Sequence, residues 1–381
     1  MPIAAEINTG ENGPAEALKK FLKQILESGQ IEALLVPCRL AESGMILPAL
    51  IADPEKLCNA EPLSPAFAIN SARLVSRLTR HFPSPTIAAL LRPCEIRAFA
   101  ELVKLNQGHT ENLIIIGTDC AGGIQNKDFF DFYGKNQEKS IQNFIDKAFS
   151  NADPPENCLP MSSACRVCTR FLPEHADLSI GLFGLLPEKK IQVYAGTSKG
   201  ENLLNALEIK TASPDPRRQD AAGKILKQKT DTRAEMIEKT RAKTDSFGKL
   251  ADYLSRCINC YNCRNACPVC YCRECVFTTD VFDHEPDQYL KWARQKGAVK
   301  MPVDTLFYHL TRMAHISTAC VGCGQCSNAC PSGIDLADLF ISVADKTQAA
   351  FDYTPGKDPE QLPPLAEFNE NEFEEVVGII D

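Results

Sequence analysis

The sequence predicts an α/β domain followed by a helical, cysteine-rich domain, and three observations carry that reading. Short apolar runs rich in branched residues alternate with amphipathic helical stretches up to about residue 210. One cysteine pattern, C-x2-C-x2-C-x3-C-P, occurs twice in the C-terminal part, its copies about fifty residues apart. The segment between the copies has helical rather than strand periodicity.

Residues 1–13 read as an N-terminal arm. From Pro14 to Ser28, Leu18, Phe21, Leu22, Ile25 and Leu26 recur on one face with lysines on the other, which predicts an amphipathic helix. IEALLVP, MILPALIA, TIAALL, NLIIIG, LSIGLFG and KIQVYAG predict strands; SARLVSRLTRHF and CEIRAFAELVKLNQ predict helices. The α/β domain then spans 14–210, and the polar stretch 211–232, with two prolines near its start, opens a linker-and-helix segment over 211–256. Residues 257–354 form the helical domain, with DQYLKWARQKG and DTLFYHLTRMAHIST as helices. Residues 355–381 form an acidic tail in which Phe368, Phe373, Val376, Val377, Ile379 and Ile380 are scattered anchors, either solvated or ordered on a partner.

The chain has 381 residues, 44% hydrophobic and 24% charged, enough for two or three units with real cores. A net charge of -8 argues against a nucleic-acid partner, which needs a basic face. No stretch reaches the roughly eighteen uncharged apolar residues of a membrane span, and the N-terminus has no secretory pattern, so the expected compartment is the cytoplasm. There, closely spaced cysteines read as metal ligands rather than disulfides. The six histidines show no metal-ligand spacing and read as structural or exposed.

Cys257, Cys260, Cys263 and Cys267, followed by Pro268, make the first copy of the pattern, and Cys320, Cys323, Cys326 and Cys330, followed by Pro331, make the second. Three thiolates of such a loop cap one face of an iron-sulfur cube, and the fourth turns away to ligate the other cluster. The expected sets are therefore Cys257, Cys260, Cys263 and Cys330 for one 4Fe-4S centre, and Cys320, Cys323, Cys326 and Cys267 for the second. Zinc is the competing metal, and the triple-then-proline order disfavours it. The long helical insert favours an α-helical ferredoxin module over a small βαβ one. Cys270, Cys272 and Cys275 either supply ligands of a further cluster or are thiols packed beside the first. Cys94 stands where a strand meets a helix and Cys120 just past another strand, positions where α/β proteins place chemistry. With Cys165 and Cys168 they form either a third cluster site or a set of buried thiols.

RPCEIRA, GTDC, the C-x2-C followed by ADLSIG, and CINCYNCRNACPVCYCRECVF resemble the beta-subunit family of coenzyme F-420-reducing hydrogenases and formate dehydrogenases, in particular its formate dehydrogenase branch, over roughly residues 14–350. The resemblance implies an iron-sulfur flavoprotein: an α/β flavin-type domain followed by an α-helical dicluster ferredoxin domain, with FAD exchanging a hydride with the deazaflavin F-420. The clusters would pass single electrons to or from catalytic or electron-bifurcating oxidoreductase subunits, with NADH or ferredoxin as alternative redox partners. It also implies that Cys94, Cys120, Cys165 and Cys168 hold a third 4Fe-4S cluster. Asn70, Ser71, Arg73, Arg92, Glu95 and Arg97 are candidates for lining a flavin site, arginine forks suiting pyrophosphate oxygens, with surface salt bridges as the alternative role. One departure from the family is NTGENG at Asn8–Gly13, which lacks G-x-G-x-x-G. A relay subunit without flavin is the competing reading.

Overall fold

Buried leucine, isoleucine, valine and alanine dominate the strands, as they must where both faces of a sheet are covered. The computed structural model describes residues 4–40, 43–81, 85–133, 137–150, 161–209, 211–272 and 274–366. Its strands are β1 (Ala4–Asn8), β2 (Ala33–Arg39), β3 (Ile46–Ile51), β4 (Ile87–Leu91), β5 (Leu113–Thr118), β6 (Leu178–Gly181), β7 (Lys190–Ala195) and β8 (Thr211–Ala212). They form one mixed sheet in the order β3-β2-β4-β5-β6-β7-β1-β8. β2, β4, β5 and β6 run parallel, flanked by antiparallel β3 on one side and β7, β1 and β8 on the other. All six expected strands are present.

Residues 4–8, read as part of an arm, form β1 instead and pair with β7 and β8. This explains the missing glycine fingerprint. β1 pairs only with its antiparallel neighbours β7 and β8 and leads through α1 (Gly13–Glu27) to β2 near the other end of the sheet, so β1 and β2 are not adjacent partners of a βαβ unit. Leu18, Phe21, Leu22 and Ile25 of α1 are buried, as its period requires.

The helices beside the parallel strands are α2 (Ala72–Leu78), α3 (Pro93–Lys104), α4 (Asn126–Tyr133), α5 (Gln137–Ser150), α6 (Ser163–Arg166) and α7 (Ser198–Ala206). Where the sequence suggested a polar linker, Pro216–Thr244 forms α8, one helix of 29 residues. Its start is held by Arg218, whose guanidinium donates to both oxygens of the fully buried Asp119 carboxylate at 3.0 and 2.6 Å. The same carboxylate accepts from the Leu182 and Phe183 amides.

The C-terminal region is helical: α9 (Phe247–Tyr253), α10 (Asn262–Ala266), α11 (Pro286–Lys296), α12 (Thr305–Ile316), α13 (Gln325–Asn328) and α14 (Leu336–Ala350). Separate cores are expected on either side of the boundary, yet Val75, Ile96 and Phe99 share one apolar core with Tyr308, Ile316, Leu339 and Phe340. Polar stitches add to it: Gln325 Nε2 and Asn328 Nδ2 donate to the Phe67 carbonyl at 2.9 and 3.0 Å. Gly324 lets α13 approach α6, since a Cβ there would lie 2.7 Å from that of Ala164. Residues 367–381, with the expected tail anchors, lie outside the described residues. Among those described, no helix is long and apolar enough to cross a membrane.

Candidate iron-sulfur relay

Three groups of thiols stand at the seam between the sheet and the C-terminal helices. Cys94 lies in the first turn of α3, immediately after β4, and Cys120 follows β5. Both line a small cavity together with Cys165, at α6, and Cys168, just beyond it. The four cysteines expected to hold a cluster in the first domain are therefore brought together, with Arg92, Lys229, Gly322 and Cys323 on the same walls.

A second cavity is lined by Cys320, Cys323 and Cys326 and by Cys267 from the other run, as the crosswise pattern requires. Cys323 and Gly322 line both cavities, so a single loop separates them. Cys257 has Cys263 of its own run and Cys330 of the other among its titratable neighbours, so the two runs meet here too. Cys260 is exposed, so the first run reaches the surface.

The local backbone suits sulfur acceptors. The amide two residues on lies close enough to the sulfur to favour its charged form at Cys120, Cys257, Cys267, Cys320 and Cys323. Those amides favour a charged sulfur, whereas burial disfavours it. Burial wins while the sites hold only thiols: it pushes Cys165 up to about 11 and Cys94, Cys120, Cys267, Cys320, Cys323 and Cys326 upward as well. Such thiols are poor nucleophiles, and metal binding must displace their protons. Among the described residues, no three His, Cys, Asp or Glu side chains converge on a single-ion site; these thiols line cavities instead. The donor set and its amides fit iron-sulfur clusters.

Side chains that the sequence did not single out complete the site. His309 Nε2 lies 3.3 Å from Cys257 Sγ, the Tyr308 hydroxyl 3.4 Å from Cys263 Sγ, and Arg312 Nη1 donates to Cys263 Sγ at 3.0 Å. All three are buried on α12, and burial pushes His309 down to about 3. The readable signal was positional: Tyr308 and Arg312 share the apolar face of α12 with Ile316. Lys229, also buried, donates to the Cys165 carbonyl at 2.8 Å. Cys270 is half-buried beside Cys267 and burial raises it to about 11, Cys272 is exposed, and Cys275 heads a short turn.

The six residues expected around a flavin do not form one cradle. Ser71, Arg92 and Glu95 share a small cavity under Phe67. There the Glu95 carboxylate accepts from the Ser71 and Arg92 amides at 2.7 and 2.8 Å, and Arg92 Nη2 donates to the Ser64 and Ala66 carbonyls at 2.8 and 2.6 Å. Asn70 Oδ1 accepts from the Ala72 amide, and Arg73 reaches the Asn265 carbonyl. Arg97, buried on α3, donates to the Val321 carbonyl at 3.0 Å and leaves Nε without a partner. It lines a polar cavity of about 260 Å³ with Cys168, Arg170, Arg233 and Cys320.

That cavity adjoins a larger groove of about 1030 Å³ between α8 and the 169–174 segment. Phe171, Leu172, Leu226 and Ile237 give it apolar walls, and Arg170, Arg233 and Arg241 line it as ion pairs with Glu174 and Asp345, with Glu238 beside them. The small face of α8 makes the room: a Cβ at Gly223 would meet nothing within 4 Å. Arg170 and Phe171 also line the Cys94 cavity, so groove and thiols share a wall.

Residues 85–215 match the family described as the C terminus of the coenzyme F420 hydrogenase/dehydrogenase beta subunit, and residues 253–334 match the 4Fe-4S dicluster domain. The chain is 28% identical over 373 residues to an F420-dependent formate dehydrogenase subunit beta of Methanocaldococcus jannaschii, covering 92% of this chain and 93% of that one. It is 27% identical to an F420-dependent formate dehydrogenase 1 subunit beta of Methanococcus maripaludis, covering 95% of each. A coenzyme F420 hydrogenase subunit beta of Methanococcus voltae is 21% identical over 50% of this chain and 77% of its own.

Proposed function

We propose that this chain, which belongs to the coenzyme F420 hydrogenase/dehydrogenase beta-subunit family, is the flavin-bearing electron-converting subunit of a cytoplasmic redox complex, exchanging a hydride with a deazaflavin and single electrons with a catalytic subunit. The observation that carries this is the unbroken sequence of shared walls. The groove shares Arg170 and Phe171 with the Cys94, Cys120, Cys165 and Cys168 cavity. That cavity shares Cys323 with the Cys267, Cys320 and Cys326 cavity, and Arg312 links the latter to Cys263 of the run that reaches the surface.

In this reading each cavity holds one 4Fe-4S cluster, and the two C-terminal clusters share ligands crosswise: Cys257, Cys260, Cys263 and Cys330, then Cys320, Cys323, Cys326 and Cys267. FAD occupies the groove, whose volume lies at the upper end for small-molecule sites, as a dinucleotide requires. Bound there, it would supply conversion between a two-electron hydride and the single electrons that clusters take. The chain's own residues do the rest. Arg170, Arg233 and Arg241 would offer donors to phosphate oxygens in exchange for their pairs with Glu174 and Asp345, and Arg97 lines the adjoining cavity. Phe171, Leu172 and Leu226 offer an apolar face to the ring system.

The test is to fill the groove. Gly223→Trp in the full chain, purified anaerobically beside the wild type, should abolish acid-releasable flavin and electron transfer from reduced F420 while leaving iron content unchanged. A wild-type chain with full iron and no releasable flavin would leave only the relay role. Flavin retained in the Trp variant would move the site elsewhere.

A further inference from the structure

Arg312 is a guanidinium, 3% exposed, at a position that touches both C-terminal thiol groups. Nη1 donates to Cys263 Sγ at 3.0 Å and Nη2 to the Cys263 carbonyl at 3.3 Å, so the fork grips the first run. Its side chain also lines the cavity of Cys267, Cys320, Cys323 and Cys326. The guanidinium lies 4.7 Å from the Phe340 ring centre and 5.6 Å from that of Tyr308, so apolar and aromatic walls replace water around it. Nε has no partner.

An isolated charge in such a place costs several kcal/mol and persists only where an opposite charge answers it. For Arg312 the groups that favour its charge are Cys263, Tyr308, Cys267 and Cys326, three of them thiols of the two runs. A guanidinium cannot escape by losing its proton. The site is therefore built around negative charge on sulfur.

We infer that Arg312 is the common electrostatic control of the two C-terminal clusters, holding both at a higher reduction potential than their thiolates alone would give and joining them across the seam. The inference rests on the dicluster reading. When the cluster holding Cys263 takes one electron from a neighbouring centre, its core falls from the 2+ to the 1+ level and the donor loses that same electron. No bond to Arg312 is made or broken, and no proton leaves it. The reduced cluster with its four thiolates is one unit more negative, so a fixed cation in a water-poor site stabilises the reduced form more than the oxidised one. The charge-assisted bond to Cys263 makes the effect larger there than at the second cavity. As Arg312 acts through the ligands, it is a positioning residue, not a catalytic one.

The experiment is an EPR-monitored redox titration of the full-length chain, reconstituted anaerobically with iron and sulfide, as wild type and Arg312→Gln. Both C-terminal clusters in the Gln variant should move to more negative midpoints. The cluster holding Cys263 should change its reduced-to-oxidised ratio at least tenfold at fixed potential, about 59 mV for a one-electron couple. Midpoints unchanged in a variant with full iron would overturn the inference. If Arg312→Gln assembles no clusters, Arg312→Lys decides. Retained charge should keep the ratios within tenfold of the wild type, and a larger displacement, or loss of the clusters in the Lys variant too, assigns Arg312 to packing. A wild-type chain without two C-terminal cluster signals would fail the dicluster reading instead, before any substitution is made.

Discussion

Cys94 shows how much one side chain carries. It is buried in the first turn of α3, and its titratable neighbours are Cys323 of the second run, then Glu95, Cys120 and Cys168, so it faces thiols from both halves of the chain. Replacement by alanine should remove one cluster of three, lowering iron by about 4 per chain while the C-terminal cluster signals persist. Unchanged iron content by colorimetric assay would reduce Cys94 to a packing thiol. Glu95, next to it, is a different case. Its carboxylate is consumed by two backbone amides, and nothing in the RPCEIRA motif distinguishes a capping glutamate from a ligand-binding one.

Among the elements, α8 decides the shape of the groove. Its polar surface and two leading prolines read as a linker, because a helix with a narrow apolar stripe, here Ala222, Ile225 and Ile237, lacks strong periodicity. The helix is held at its start by the Asp119–Arg218 pair and along its length by α14. Removing one member of a buried pair leaves the other charge unanswered, at about 3–5 kcal/mol. Asp119→Ala should therefore lower the denaturation midpoint by that equivalent and weaken flavin retention more than iron retention. An unaltered midpoint would mean that α8 is held by its apolar stripe alone.

For the whole molecule the consequence is cooperativity. Residues 353–356 return across the seam: the Tyr353 hydroxyl donates to Glu101 of α3 at 2.7 Å and the Gly356 amide at 2.8 Å, with Lys104 paired to the same carboxylate at 3.1 Å. Together with the core that Phe99 and Phe340 share, this ties sheet and cluster helices into one unit. Thermal loss of far-ultraviolet circular dichroism and of cluster absorbance should therefore coincide in a single transition. Cluster absorbance disappearing well before the dichroism would show two independent units.

By itself the sequence determined the six main strands, the cluster-bearing region and the partition of cysteines into runs, because those depend on short-range periodicity and on the fixed spacing a cube demands. It also carried the family resemblance in RPCEIRA, GTDC and the cysteine motifs. Only the tertiary structure decided that residues 4–8 are a strand, that α8 walls a groove, that Arg97 belongs to its inner cavity, and that Arg312 stands between two thiol groups. These depend on contacts between segments far apart in the chain, such as Arg97 with Val321, Asp119 with Arg218 and Arg312 with Cys263. A single sequence shows the residue types but not which distant backbone will use their hydrogen bonds and charge.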